Sequence, residues 1–185
     1  MVQEDAQSLL PKPPRLYSSL QELDLSKSRL AGDLADLARQ HPRLTRLNLS
    51  QCSEVTGEIG DIVKLELLEY LQVADCQSIE GNVTPAVVEQ LSAMRARNGS
   101  DAVNMARCGK MTLTGEFSAL SVTDIDLGGI TSLEGPLALF AGVELRRLSI
   151  WNTMLRGTLN EVPSGSLEWL DVSFTKNIKG ELPVW

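Results

Sequence analysis

Aromatic residues are scarce in this chain and histidine is almost absent. Trp, Tyr and Phe together make up 4% of the 185 residues, so the core the chain builds is aliphatic. The single histidine, His41, stands next to Pro42. With no second base near the scattered Ser and Asp residues, no nucleophile–base pair is readable, and the expectation is a protein that is not an enzyme. Basic residues are in the minority, 17 Lys and Arg against 24 Asp and Glu, for a net charge of −7. That balance argues against nucleic acid as a partner, since nucleic-acid surfaces need basic patches. No apolar run reaches the roughly 18 residues of a membrane span, so direct membrane insertion is not expected. The start, Met1-Val2-Gln3-Glu4-Asp5, has neither the basic region nor the apolar stretch of a secretory signal. No glycine-rich loop with a lysine is present to cradle a phosphate, and nothing in the pattern asks for a cofactor.

What the chain does have is one short pattern, repeated seven times. The copies begin at Leu20, Leu44, Leu68, Ser100, Val122, Leu145 and Leu167, at spacings of 24, 24, 32, 22, 23 and 22 residues. Each reads apolar-x-x-apolar-x-apolar, then a further apolar position, then x-Gly-x-apolar, except that the fourth opens on the polar Ser100 and has two extra residues before its fourth apolar position. In the second copy these positions are Leu44, Leu47, Leu49, Val55, Gly57 and Ile59. The glycine recurs in every copy, as Gly32, Gly57, Gly81, Gly115, Gly135, Gly157 and Gly180. At a background of about 7% glycine, seven in seven has a chance probability on the order of 10⁻⁸. The apolar-x-apolar centre alternates with the period of a half-buried strand. The rest of each copy is long enough for the crossover that parallel strands require. The glycine reads as a bend where the chain turns away from the strand.

A period of 20–29 residues with this lattice marks stacked turns that bury their apolar faces only against one another. Over residues 20–182 the chain resembles the leucine-rich repeat proteins. The element Val55-Thr56-Gly57-Glu58-Ile59 is similar to that of their plant-type subclass. Where that subclass has Asn after the third lattice leucine, this chain has Ser28, Cys52, Cys76, Cys108, Ile130, Thr153 and Thr175; only Leu182-Pro183 keeps its proline. The resemblance implies an α/β fold: a right-handed leucine-rich repeat solenoid of seven turns, with a parallel concave sheet and mostly short 3₁₀ or extended convex segments. It also implies a surface that grips a partner.

Residues 1–19 read as an extended or capping segment, stiffened by Pro11-Lys12-Pro13-Pro14. Residues 20–185 form the repeat domain. The long third copy carries residues 84–99, where Thr84 suits an N-cap, Pro85 a first helical turn and Gly99 a stop. Val87, Leu91 and Met94 share a face, which predicts an amphipathic convex helix whose Arg95 and Arg97 complement its dipole. Asp33 to Gln40 is a second helical candidate. The chain stops at Pro183-Val184-Trp185 without a polar cap. Three readings stand: a fragment, Trp185 folded over the last turn, or a partner covering the edge.

The x positions of the strands point out of the concave sheet and stack into three columns. The first is Glu22, Arg46, Tyr70, Ala102, Asp124, Arg147, Trp169. The second is Asp24, Asn48, Gln72, Asn104, Asp126, Ser149, Asp171. The third is Ser26, Ser50, Ala74, Ala106, Gly128, Trp151, Ser173. On this polar face Trp151 and Trp169 stand out, with Arg147 between them, Phe174 one strand on and Tyr70 further away. Trp, Tyr and Arg are the residues enriched in binding hot spots. The expected site is therefore a patch for a protein or peptide at the C-terminal end, including the acids Asp126 and Asp171. The competing reading has the tryptophans shielding the terminal turn. A second role for the whole chain is an accessory subunit fixed in a larger multiprotein assembly through its C-terminal edge and the convex helix of residues 84–99. Asp124, Asp126 and Asp171 are read as solvated acids, because a flat sheet gathers too few oxygens for a cation.

Cys52, Cys76 and Cys108 occupy one inward site of three successive copies, which predicts a ladder of buried thiols serving backbone groups at the bend. Neighbouring turns also approach bridging distance, so a disulfide between adjacent copies stays open. Three cysteines make no disulfide framework, which favours a reducing compartment, cytoplasmic or organellar. Asn48, Asn82 and Asn98 match the glycosylation sequon and are read as unmodified.

Overall fold

The computed structural model describes residues 19–163 and 165–180. The expectations placed on the proline-rich start, on Leu182-Pro183 and on Trp185 fall outside those residues. Every copy of the repeat contributes two short strands. The first strands are β1 (Glu22–Asp24), β3 (Arg46–Asn48), β5 (Tyr70–Gln72), β7 (Val103–Asn104), β9 (Asp124–Asp126), β11 (Arg147–Ser149) and β13 (Trp169–Asp171). The second strands are β2 (Gly32–Asp33), β4 (Val55–Glu58), β6 (Ile79–Val83), β8 (Met111–Leu113), β10 (Leu133–Pro136), β12 (Met154–Thr158) and β14 (Ile178–Lys179). The strands pair in parallel, in the order of the copies. The result is an α/β protein with open parallel sheets and few helices.

The lattice explains the burial. Leu44, Leu47, Leu49, Val55 and Ile59 of the second copy are all buried, as are their counterparts in the third copy and most in the fourth to sixth. Facing leucines from consecutive copies stack at the strand spacing of about 4.8 Å, so each turn supplies the apolar wall of the next. The core is aliphatic apart from Phe117 and Phe140, which meet edge to face at 5.4 Å.

Crossovers follow the lengths available. The first copy forms helix α1 (Leu34–Gln40), capped by Asp33, whose Oδ1 accepts from Ala35 N at 2.9 Å. Short connections make 3₁₀ turns at Ile59–Lys64, Phe117–Ala119, Leu137–Phe140 and Leu159–Glu161. The long third copy forms helix α2 (Pro85–Asn98), with Thr84 and Gly99 at its ends as expected, although the Thr84 side chain makes no capping bond.

Two features differ from the sequence reading. The glycine of the repeat is not where the chain leaves the first strand. It lies in or just after the second strand, and in six copies it has positive φ; at Gly135 (φ 148) a Cβ would come within 2.8 Å of Leu113 Cβ. Gly32 has open space instead. The turn out of the first strand is made three residues after the second column, by Lys27, Gln51, Asp75, Arg107, Gly129, Asn152 and Phe174, all at positive φ. In five copies the second-column Asp or Asn prepares that turn, its Oδ1 accepting from the backbone N–H two residues on.

The second difference is larger. The even-numbered strands form one seven-stranded sheet, β2 to β14, but the odd-numbered strands do not. They divide into a four-stranded sheet, β1-β3-β5-β7, and a three-stranded sheet, β9-β11-β13. The expected single run of seven first strands is broken between the fourth and fifth copies.

Candidate functional site

Helix α2 fills that break. Its first half packs beside the Ile59–Lys64 turn, where Gln90 Nε2 donates to Ile62 O at 3.1 Å and Leu65 O at 2.9 Å. Its second half reaches β9. So α2 is not confined to the side of the crossovers, and Arg95 does not merely answer the helix dipole. Its side chain is only 7% exposed.

The chemistry of the break follows from the ladder elsewhere. In the intact copies Leu25 N donates to Asn48 O and Lys27 N to Ser50 O; Leu49 N donates to Gln72 O and Gln51 N to Ala74 O; Val73 N donates to Asn104 O and Asp75 N to Ala106 O. By the same register, Met105 N and Arg107 N would donate to Asp126 O and Gly128 O. Arg95 takes both places, Nη1 donating to Asp126 O at 3.0 Å and Nη2 to Gly128 O at 2.8 Å. Nη2 also donates to Val103 O on β7 at 3.1 Å. One turn back on α2, Ser92 Oγ accepts from Asp126 N at 3.3 Å. Two side chains on one helix face thus splice the two half-sheets, because buried backbone groups must be paired somewhere.

The splice changes the standing of Asp126. Its Oδ1 lies 2.7 Å from Arg95 Nη1 and accepts from Gly128 N at 3.0 Å. Burial lowers the Arg95 pKa, and the Asp126 carboxylate opposes that shift, holding the guanidinium charged. Asp126, expected among the partner-binding acids, is engaged by Arg95 and Gly128 while its side chain stays partly exposed. Asp171 accepts from Ser173 N at 2.9 Å and so shapes the turn that follows β13. Ala102 holds its place in the first column by register but is fully buried in a 3₁₀ turn.

The aromatic residues stand on the odd-strand face as expected. Trp169 is 41% exposed, Trp151 37% and Phe174 80%. Register sets Arg147 beside Trp169, and its guanidinium carbon lies 4.9 Å from the indole centroid. Arg46 and Tyr70 repeat the arrangement two copies from the start, at 3.7 Å. Stacked in this way, each arginine keeps its charge at the surface while its plane covers an aromatic face. The two tryptophans do not form one patch. Trp169 sits at the first column and Trp151 at the third, about 13 Å apart along the strand direction.

They line two clefts on either side of the splice. The first, about 330 Å³, is lined by Ser92, Arg95, Asp124, Arg147, Ser149 and Trp169. The second, about 420 Å³, spans the break and is lined by Gln72, Asp101, Asn104, Arg107, Asn152 and Trp151. Trp151 lies over the backbone of Gly128 and Gly129; a Cβ on Gly128 would fall 2.0 Å from its Nε1. Arg107 is tied to Asp75, with Nη2 to Oδ2 at 2.8 Å, and the guanidinium holds the Asp75 carboxyl below its usual range.

The thiol ladder is present. Cys52, Cys76 and Cys108 are buried and free, and each Sγ donates to a carbonyl of the preceding copy: Leu25 O and Leu49 O at 2.9 Å, Val73 O at 3.0 Å. At the same site Thr153 and Thr175 turn their hydroxyls to carbonyls of their own copy, Ile150 O and Val172 O.

The positive-φ turn residues and the splice were missed by sequence reasoning. Lys, Gln, Arg and Phe give no sign of a left-handed backbone, and Arg95 at a helix end has an ordinary local explanation. The signal that pointed to the splice was the eight extra residues of the third copy. Among the described residues, no group of three His, Cys, Asp or Glu side chains is placed to hold a metal ion, and no helix is long and apolar enough to cross a membrane. No protein-family model matches the chain, and no curated protein matches its sequence.

Proposed function

We propose that the chain is a leucine-rich repeat solenoid that works by holding a protein or peptide on its concave, odd-strand face, without catalytic turnover. Support for the fold comes from seven lattice copies whose second strands pair in order in one sheet and whose first strands pair in order in runs of four and three. The observation that carries the function is the Trp169–Arg147 pair. A tryptophan 41% exposed, with a guanidinium stacked beside it on a polar sheet, contributes little to the core, yet it is the combination that dominates interface energetics. Three paired steps in β1–β7 and two in β9–β13, at about 4.8 Å each, give about 24 Å of face besides the width of the break, enough for an interface of about 800 Å² per partner. Affinity capture with wild type and with Trp169→Ala/Arg147→Ala tests it. The expected result is a partner that the variant loses while its melting temperature is unchanged. A partner retained, or a variant that melts several degrees lower, assigns the pair to shielding the terminal turn instead.

A second reading, a subunit held in a larger assembly, is favoured by the ends of the stack. Leu167, Leu170 and Val172 of the last copy and Leu20, Leu23 and Leu25 of the first are only partly buried, where their interior counterparts are covered. At the first copy these leucines line an apolar groove of about 450 Å³ with Leu37 and His41.

A further inference from the structure

The cleft at the break has a chemistry that the protein-binding face does not need. Its size lies in the range of small-molecule sites, about 300–1,000 Å³. Its charges are largely settled within the protein: Arg95 is matched by Asp126 and Arg107 by Asp75. An anion entering it would find both guanidiniums already paired, and a cation would find only Asp101. What remains open, beside the Asp101 carboxylate, is neutral hydrogen-bonding capacity. Gln72 Nε2 donates to Asp101 O at 2.7 Å, which leaves Gln72 Oε1 as an acceptor. Asn104 Oδ1 accepts from Ala106 N at 3.2 Å, which leaves its NH₂ group as a donor. Asn152 offers an amide with both functions, and the Asp101 side chain offers two acceptor oxygens. Beside these groups lies Trp151, supported from below by the glycine backbone and 37% exposed.

A flat aromatic platform edged by groups that both donate and accept matches one ligand class well. A sugar ring presents C–H bonds on its face, which favour the electron-rich face of an indole, and hydroxyls around its rim, each both donor and acceptor. We propose that this cleft binds a neutral saccharide, with one ring stacked on Trp151 and its hydroxyls held by Asp101, Asn104 and Asn152. The site is separate from the Trp169–Arg147 surface and does not depend on it.

The test is an array of neutral oligosaccharides (gluco-, manno-, galacto- and xylo-oligomers) alongside uronate-bearing ones, probed with the full chain. Binders are then followed by calorimetry. At least one neutral oligosaccharide is expected to bind with an affinity that raising the salt leaves unchanged. Trp151→Ala should weaken it by about tenfold or more. Gly128→Ala should do the same by displacing the indole, and Asp101→Asn, an exposed substitution, should weaken it with the fold intact. Trp169→Ala should leave it as it was. The proposal is overturned if no neutral oligosaccharide binds at millimolar concentration. It is equally overturned if only uronates bind and salt abolishes them, or if binding survives both Trp151→Ala and Asp101→Asn in folded protein.

Discussion

Burial pushes the Cys108 thiol up to about 12, and it raises that of Cys76 as well. The folded thiols therefore hold their protons at a pH where the unfolded chain has already lost them. Below about pH 8.5 both states are protonated and the contribution to stability is complete. As pH rises toward 12, Cys108 ionises in the unfolded state alone, and stability falls by up to about 1.4 kcal/mol per pH unit, with Cys76 adding to the fall in the same direction. Urea melts at about pH 8 and about pH 10.5 should show this loss, and Cys108→Ser should flatten it, because a hydroxyl donates to Val73 O without ionising in that range. A Cys108→Ser protein with the same pH slope as wild type would show that other groups set the slope. The ladder was legible from residue type alone, because cysteine at one lattice site in three successive copies has to face the same carbonyls. The turn residues were not. Nothing about Lys27 or Phe174 distinguishes it from any exposed residue until the backbone is seen at φ 61 and 58.

At the scale of elements, α2 decides how the odd-numbered strands are organised. The bounds of the helix could be read from Thr84, Pro85 and Gly99, because capping chemistry is local. Its destination could not, because a guanidinium that replaces the N–H groups of a strand is a relation between residues 31 and 33 positions apart. If the splice carries the pairing of the half-sheets, Arg95→Met should destabilise the protein by about 3–5 kcal/mol, since it strands three carbonyls and the Asp126 carboxylate. Arg95→Lys should recover little of that, because an ammonium cannot span Val103 O, Asp126 O and Gly128 O as a planar fork does. Denaturant melts of both variants and of Asp126→Asn measure it; a loss below about 1 kcal/mol for Arg95→Met would mean that α2 packing alone holds the break.

At the scale of the whole molecule, an array of stacked repeats draws its stability from each repeat and from the contacts between neighbouring repeats. Among the described residues β1 and β13 each pair with one strand, and the lattice leucines of their copies are partly buried. Backbone hydrogen exchange should therefore be slowest in β3, β5, β10 and β12 and fastest in β1 and β13. Uniform protection from β1 to β13 would show that the ends are sealed as firmly as the interior. The order of the copies, the parallel pairing and the three columns all followed from the lattice spacing, since a period of two and a fixed repeat determine register. The division of one sheet into four and three strands did not, because it depends on where a single insertion sends its helix. That division also sets how the molecule would carry a load. Pulled from its two ends, the protein transmits force through a continuous ladder on one side and, between the fourth and fifth copies, through the Arg95 guanidinium and two hydroxyls, Ser92 and Thr131, on the other. Tension concentrates there, so the stack would open like a clasp about the β8–β10 pairing, parting into a four-copy block and a three-copy block before either block frays.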